Sequence, residues 1–397
     1  MTVRVLDYSG DGAYFLSDPA MELDGLREGG PASVLAGEPG QSVAEALDRA
    51  LVVPRPDGRR ALDVVIAAPK PVSLLLATEP RSAARSVVAL HERAVGAAFS
   101  YLRDEALGAS RTWDGPRALR FTHGVNRLLD PHLHSHVVLS LHDDRGAALN
   151  AQSVRAHAAA ADALYLAALR EGLPAAARRD SWVTPAGRMH VDGVDLGLVA
   201  ATSTPRDRRG RVERSGTKTH PSARAVREHW DEILATYAPV ECAVAPPART
   251  GSLDEYRFAA ILGEGRVSRR HVVRAWASAS PFGQDVDGVL ASVSLAAPGL
   301  SGSIARPAVV LRDGAGIRVL GPRPLGHEAL RGWLAGRAAL DQHLARGFSL
   351  GHVLDPRGAS ARERLSLARL DASLGATWRR GRALQVAREP SYGRALS

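Results

Sequence analysis

Four histidines, His123, His132, His134 and His136, fall within one short stretch. The last two alternate into an apolar run, Val137, Val138, Leu139 and Leu141, and Asp130-Pro131 is a turn signal ahead of it. This pattern predicts a β-strand. Side chains repeat with period two along a strand, so His134 and His136 share a face. Two imidazoles on one face, with a third from a neighbouring element, make a half-open metal site that keeps positions for water or a substrate oxygen. A lone His-x-His pair on an exposed strand is more often incidental than metal-binding, and a third imidazole within reach changes that balance. Both His123 and His132 qualify as the third ring, His132 because positions 132, 134 and 136 can share a face.

The elements that must position these rings follow from hydrophobic periodicity. Val3-Arg4-Val5-Leu6 alternates as a strand. Val43, Leu47 and Leu51 recur at helical spacing over residues 41–52. Residues 61–67 read as a buried strand, 82–107 as a long amphipathic helix, 117–123 and 133–141 as two more strands joined by the 126–131 turn region, and 150–173 as an Ala-rich helix. Strands and helices in this order, with antiparallel pairing, predict an α+β sandwich. Further along, a helix around Val226 and Trp230 spans 222–237. Residues 252–280 are helical, 307–320 form a hairpin turning at Asp313-Gly314, and 327–346 a last helix. The expected domains are 1–205 as the catalytic palm, 206–222 as a basic linker, 223–290 as a helical segment, and 291–397 as a small α+β extension with an Arg-rich, partly disordered tail.

The chain has 397 residues, net charge +9 and a single cysteine, Cys242. One cysteine excludes an internal disulfide framework. No apolar run reaches the length of a membrane span and no signal core stands near Met1, so a cytoplasmic protein is expected. Only Lys70 and Lys218 are lysines, so the excess charge is almost wholly arginine. Its distribution is informative: Arg206, Arg208, Arg209, Arg211, Arg214 and Lys218 form a dense basic run. Such a run is either a solvated linker or a phosphate-tracking segment. Neither lysine directly follows a glycine, so no phosphate-loop signature is present and no nucleotide-driven motor is encoded by that route.

The histidine segment resembles the metal motif of the MobF-type conjugative relaxases, the TrwC/TraI family, part of the HUH endonuclease superfamily. The residues carrying the likeness are Phe121-Thr122-His123, Asn126-Arg127, and Asp130-Pro131 with Leu133-His134-Ser135-His136. The resemblance implies an antiparallel sheet palm with flanking helices, without the family's helicase part. It makes His123, His134 and His136 the ligands, and puts His132 on a variable position. The stretch Leu62-Asp63 through Ala68-Pro69-Lys70-Pro71-Val72-Ser73 is similar to a second family motif. There Asp63 matches an acidic residue beside the metal that orients a ligand histidine or assists the tyrosine, and Lys70 matches a lysine that can hold a DNA phosphate. Arg127 falls on the family's motif arginine and, with Arg208, Arg209 and Arg211, is assigned to DNA contact.

A relaxase needs a nucleophile. Gly12-Ala13-Tyr14-Phe15-Leu16 matches the family's tyrosine stretch, which makes Tyr14 the candidate and Tyr8 the runner-up. Phe15 replaces the partner tyrosine, and no tyrosine follows until Tyr101. The implied reaction is nicking and rejoining of single-stranded DNA at a transfer origin through a 5′-phosphotyrosyl link, for conjugative transfer. The implied cofactor is Mg2+ or Mn2+, with Zn2+ or Ni2+ the choice of an all-imidazole set on general grounds. A separate helicase or relaxosome proteins are the implied partners. Two alternatives stand beside this reading. One is a degenerate relaxase-like module that binds DNA without cutting. The other is a rolling-circle replication initiator, whose tyrosine normally follows the histidines; Tyr165 suits that order, but its apolar helical neighbours argue for core.

Overall fold

The computed structural model describes residues 2–9, 26, 32–36, 42–51, 59–108, 117–126, 128–142, 148–184, 188–203, 222–237, 253–262, 266–297, 300, 306–307, 309–313, 316–320 and 360. Two compact units divide the chain: 1–254 with 277–289, and 255–276 with 290–397.

The first unit is built on β1 (Val3–Tyr8), β2 (Ala32–Ala36), α1 (Val43–Leu51), β3 (Ala61–Ala67), α2 (Lys70–Thr78), α3 (Arg81–Tyr101), β4 (Ala118–Val125), β5 (Pro131–Ser140) and α4 (Ala151–Ala177). A short hairpin follows, β6 (Ser181–Val183) and β7 (Met189–Val191), then α5 (Leu196–Ala201) and α6 (Ala223–Thr236). Five strands form one antiparallel sheet in the order β1-β3-β5-β4-β2. The α+β class read from the sequence is the fold observed. Strand β5 is central, which explains its continuous apolar end: Val137, Val138 and Leu139 are wholly buried.

Helices α3 and α4 cover one face. His91 of α3 and Tyr165 of α4 are fully buried there, and a chain of hydrogen bonds joins them to the sheet. Tyr165 Oη lies 2.7 Å from His91 Nδ1, His91 Nε2 lies 2.8 Å from Ser135 Oγ, and Ser135 Oγ lies 3.0 Å from Thr122 Oγ1. Thr122 and Ser135 are register partners of β4 and β5. On the opposite face, among the described residues, α1 covers one end. Its Ala46, Leu47, Ala50 and Leu51 pack with Ala61, Leu119, Phe121 and Val138, and Tyr8 and Val34 lean on this cluster. The start of β1 is tied to α4: Asp162 Oδ1 accepts from the Thr2 hydroxyl, from Thr2 N–H (2.5 Å) and from Val3 N–H (2.7 Å).

Several short pieces were not expected, among them β2, α2 and the β6–β7 hairpin. Strand β2 is five residues long beside glycines. Helix α2 is buried nearly all round, through Val72, Ser73, Leu74, Leu75 and Leu76, so it shows no amphipathic stripe. The β6–β7 hairpin has three residues a side. Helix α3 ends in a π turn, Leu102–Ala106, where one unbroken helix was expected.

The second unit contains α7 (Glu255–Leu262), the pair β8 (Arg266–Val267) and β9 (Arg306–Pro307), and the hairpin β10 (Val309–Asp313) and β11 (Gly316–Leu320). Phe258 meets Trp276 edge-on at 5.7 Å. The helix expected at 327–346 and the Arg-rich tail lie outside the described residues. Among the described residues, no helix is long and apolar enough to cross a membrane.

Candidate metal centre

Strands β4 and β5 run antiparallel with His123 opposite His134 and Phe121 opposite His136. Alternation places His123, His134 and His136 on the same face of the sheet as α1. Their rings form a nearly equilateral triangle. Ring centres are 5.2 Å apart for His123 and His134, 5.4 Å for His123 and His136, and 5.3 Å for His134 and His136. His123 and His136 are buried, and both ring nitrogens of His123 are shielded from solvent.

The turn between the strands sets this register. Asn126 Oδ1 accepts from Leu128 N–H (2.8 Å) and Asp130 N–H (3.0 Å), an Asx arrangement that closes the loop. A shift in the ladder between His123 and Val125 bends β4 at the site.

Asp63 stands on β3 behind His136. Both its carboxylate oxygens lie 2.9 Å from His136 Nδ1. A carboxylate only accepts, so Nδ1 carries a proton and Nε2 is the nitrogen left for a metal ion. His134 is fixed the same way: its Nδ1 donates to the His132 carbonyl at 2.8 Å. Burial, then the neighbouring imidazoles, hold His134 well below the usual imidazole range. The shift favours the neutral ring, the form that binds metal.

His132 stacks on His134, with centres 4.7 Å apart and planes 29° from parallel. Burial pushes His132 down to about 4, and Lys70 and Arg4 add to the shift. Lys70 opens α2 and donates from Nζ to the Pro131 carbonyl at 2.8 Å. Burial lowers its ammonium to about 8, against an opposing pull from Asp130. Arg4 went unnoticed in the sequence. It pairs with Val65, which pairs with His136, so Arg4 lies in the same row across the sheet. The alternation Val3-Arg4-Val5 was the available signal. Leu6, in the row of Asp63, is 48% exposed on this face.

The structure thus brings together His123, His134, His136 and Asp63, with Lys70 bonded to Pro131 at the start of β5. Tyr14, Arg127, Arg208, Arg209 and Arg211 lie outside the described residues. Tyr8 packs at the covered end of the face, against the α1 cluster. Tyr165 is fully buried on the opposite face, where burial pushes its phenol well above the usual range. That position makes it core.

Among the described residues, no group of three or more His, Cys, Asp or Glu side chains is disposed, as the side chains stand, to hold a metal ion. The donor set nonetheless suits one. Three imidazoles sharing an ion at about 2.1 Å per nitrogen have ring centres roughly 5 Å apart, which is the spacing here. Two of the three already have Nδ1 engaged and Nε2 presented.

A family model described as TrwC relaxase matches residues 21–236, more than half of the chain. The chain belongs to the TrwC relaxase family. Its reaction class is the family's, DNA nicking for conjugative transfer. Similar solved structures include a copper-bound conjugative relaxase TrwC in complex with oriT DNA, 17% identical with a TM-score of 0.47, and a metal-bound one, 16% identical with a TM-score of 0.45. A third is TrwC complexed with a 27-mer DNA comprising the recognition hairpin and the cleavage site, 18% identical with a TM-score of 0.41. Each alignment covers 59% of this chain and 97% of the other. No match was found among the curated proteins.

Proposed function

We propose that this relaxase nicks and rejoins one strand of single-stranded DNA at a transfer origin, with His123, His134 and His136 holding a divalent ion and Tyr14 as nucleophile. The observation that carries the reading is the imidazole triangle braced from behind by Asp63. Bound there, a divalent ion would withdraw charge from a non-bridging phosphate oxygen and orient the group for in-line attack. Three protein ligands leave room for water and phosphate oxygens, which suits Mg2+ or Mn2+; the imidazole set also suits Zn2+ or Ni2+.

Asp63 fixes the His136 tautomer and raises its basicity as a ligand. With both oxygens on His136 Nδ1, its part is orientation rather than acceptance of the tyrosine proton. Tyr14 Oη forms a bond to phosphorus and the bond from phosphorus to the 3′-oxygen breaks. The phenol proton leaves to water and the departing 3′-oxygen takes one up. One phosphodiester is exchanged for another, so the reverse step reseals the strand. Lys70 and Arg4 border the triad as cations for neighbouring phosphates, and the run through Arg208, Arg209 and Arg211 extends that tracking, as Arg127 does in the motif turn. A helicase and relaxosome proteins are further partners on this reading.

One observation favours a second reading, DNA binding without cleavage: Phe15 stands where the family has a partner tyrosine, and no tyrosine follows until Tyr101. Incubation with a mixed single-stranded library and Mn2+, followed by a denaturing gel, separates the two. A protein–DNA band lost in Tyr14→Phe supports nicking. Metal-independent binding with no band supports the second reading.

A further inference from the structure

The turn joining the two histidine strands contains an unusual backbone. Leu129 sits at φ 66°, in the left-handed region that a leucine rarely adopts. Such a conformation persists only where the surroundings hold it. Asn126 closes the turn locally, and α6, more than ninety residues further along the chain, holds it from outside. Trp230 Nε1–H donates to the Leu129 carbonyl at 2.7 Å, and Trp230 itself is 4% exposed. On the same helix, His229 Nε2 lies 3.5 Å from Asp130 Oδ1. The Arg227 guanidinium covers the Trp230 ring at 5.3 Å and reaches the Leu76 carbonyl of α2 at 3.5 Å. Neighbouring residues of one helix therefore grip the turn and the helix that carries Lys70. Asp130 ends that turn, Pro131 begins β5, and His134 and His136 follow.

We propose that Trp230 is a positioning residue for the imidazole triad. By holding the Leu129 carbonyl, it fixes the turn that sets β5 against β4, and so the spacing of His134 and His136 from His123. A metal centre tolerates only about half an ångström of error in its ligands, so a relaxed turn weakens the site without unfolding the sheet. This inference rests on the metal reading above and adds the element that tunes it.

The test is calorimetric titration of the untagged full chain with Ni2+, an imidazole-seeking probe, for wild type, His123→Asn, Trp230→Phe, and Trp230→Phe combined with Leu129→Gly. Phenylalanine keeps the packing and removes the donor. Glycine adopts positive φ without the strain a leucine bears, so the turn depends less on an outside hold. The expected result is about tenfold weaker binding for Trp230→Phe, the scale seen when a supporting partner of a ligand is lost, with affinity regained in the double variant. A purely structural tryptophan would lower the unfolding temperature and leave nickel affinity unchanged; that result overturns the proposal, as does a loss that glycine fails to restore. If Trp230→Phe alone does not fold, the double variant decides: wild-type affinity supports the clamp and tenfold weaker binding refutes it. Equal nickel binding by wild type and His123→Asn would instead remove the metal reading itself, and the clamp with it.

Discussion

Asp63 and His136 are joined by both carboxylate oxygens, each 2.9 Å from the same ring nitrogen, across the paired strands β3 and β5. The contact is buried, so it is held in one geometry rather than averaged with solvent. Asp63→Ala removes the group that fixes the tautomer. Metal affinity is expected to fall by about 10- to 100-fold, with the circular-dichroism spectrum unchanged. Equal metal affinity in the variant would show that the carboxylate has only a structural part.

Lys70 gives a pH dependence with a definite sign. Burial lowers its ammonium from 10.5 to about 8. Between these values the unfolded chain keeps the proton and the folded chain has shed it, so the Lys70 contribution to stability rises with pH across that window. Below about 8 the folded state bears the whole penalty of a buried ammonium. Lys70→Met should therefore stabilise the protein at pH 7.5, and its advantage should shrink toward pH 10. Urea denaturation midpoints at the two pH values check this; a constant advantage would contradict it.

Arg4 and Lys70 border the histidine face as separate cations. If each neutralises one phosphate of a single strand, Arg4→Gln and Lys70→Met should each lower the slope of log affinity against log salt by about 0.7. Fluorescence anisotropy with a labelled oligonucleotide between 50 and 200 mM salt, roughly the range over which such contacts are lost, measures it. A slope identical to wild type would take that residue out of the phosphate track.

Behind the sheet, Ser135 links His91 to Thr122 in a buried network. Ser135→Ala leaves buried polar atoms without that partner, at a cost of about 1–3 kcal/mol. The unfolding free energy should drop by that amount, while metal affinity stays within about twofold because Ser135 points away from the triad. A large loss of metal affinity would mean that the network sets the strand register directly.

Much of this organisation was legible in the residues. The apolar run Val137–Leu139 after the Asp130-Pro131 turn signal marked β5, and the recurrence of Val43, Leu47 and Leu51 marked α1. The grouping of His123 with His134 and His136, rather than His132, came from resemblance, and period two alone left it open. Helix α2 was hidden because burial on all sides erases periodicity, although Pro71 near its start is a start signal. Arg4 was hidden because its row becomes visible only once β1 pairs with β3. The Trp230–Leu129 bond was beyond reach: no local pattern announces a contact between residues a hundred positions apart.

The most direct test of the central claim is an anomalous-difference map from a crystal soaked in Mn2+. The account predicts one strong peak within about 2.0–2.3 Å of Nε2 of His134, Nε2 of His136 and a ring nitrogen of His123. A map with no peak at these three rings, or with manganese bound elsewhere and His123 turned away, would contradict it.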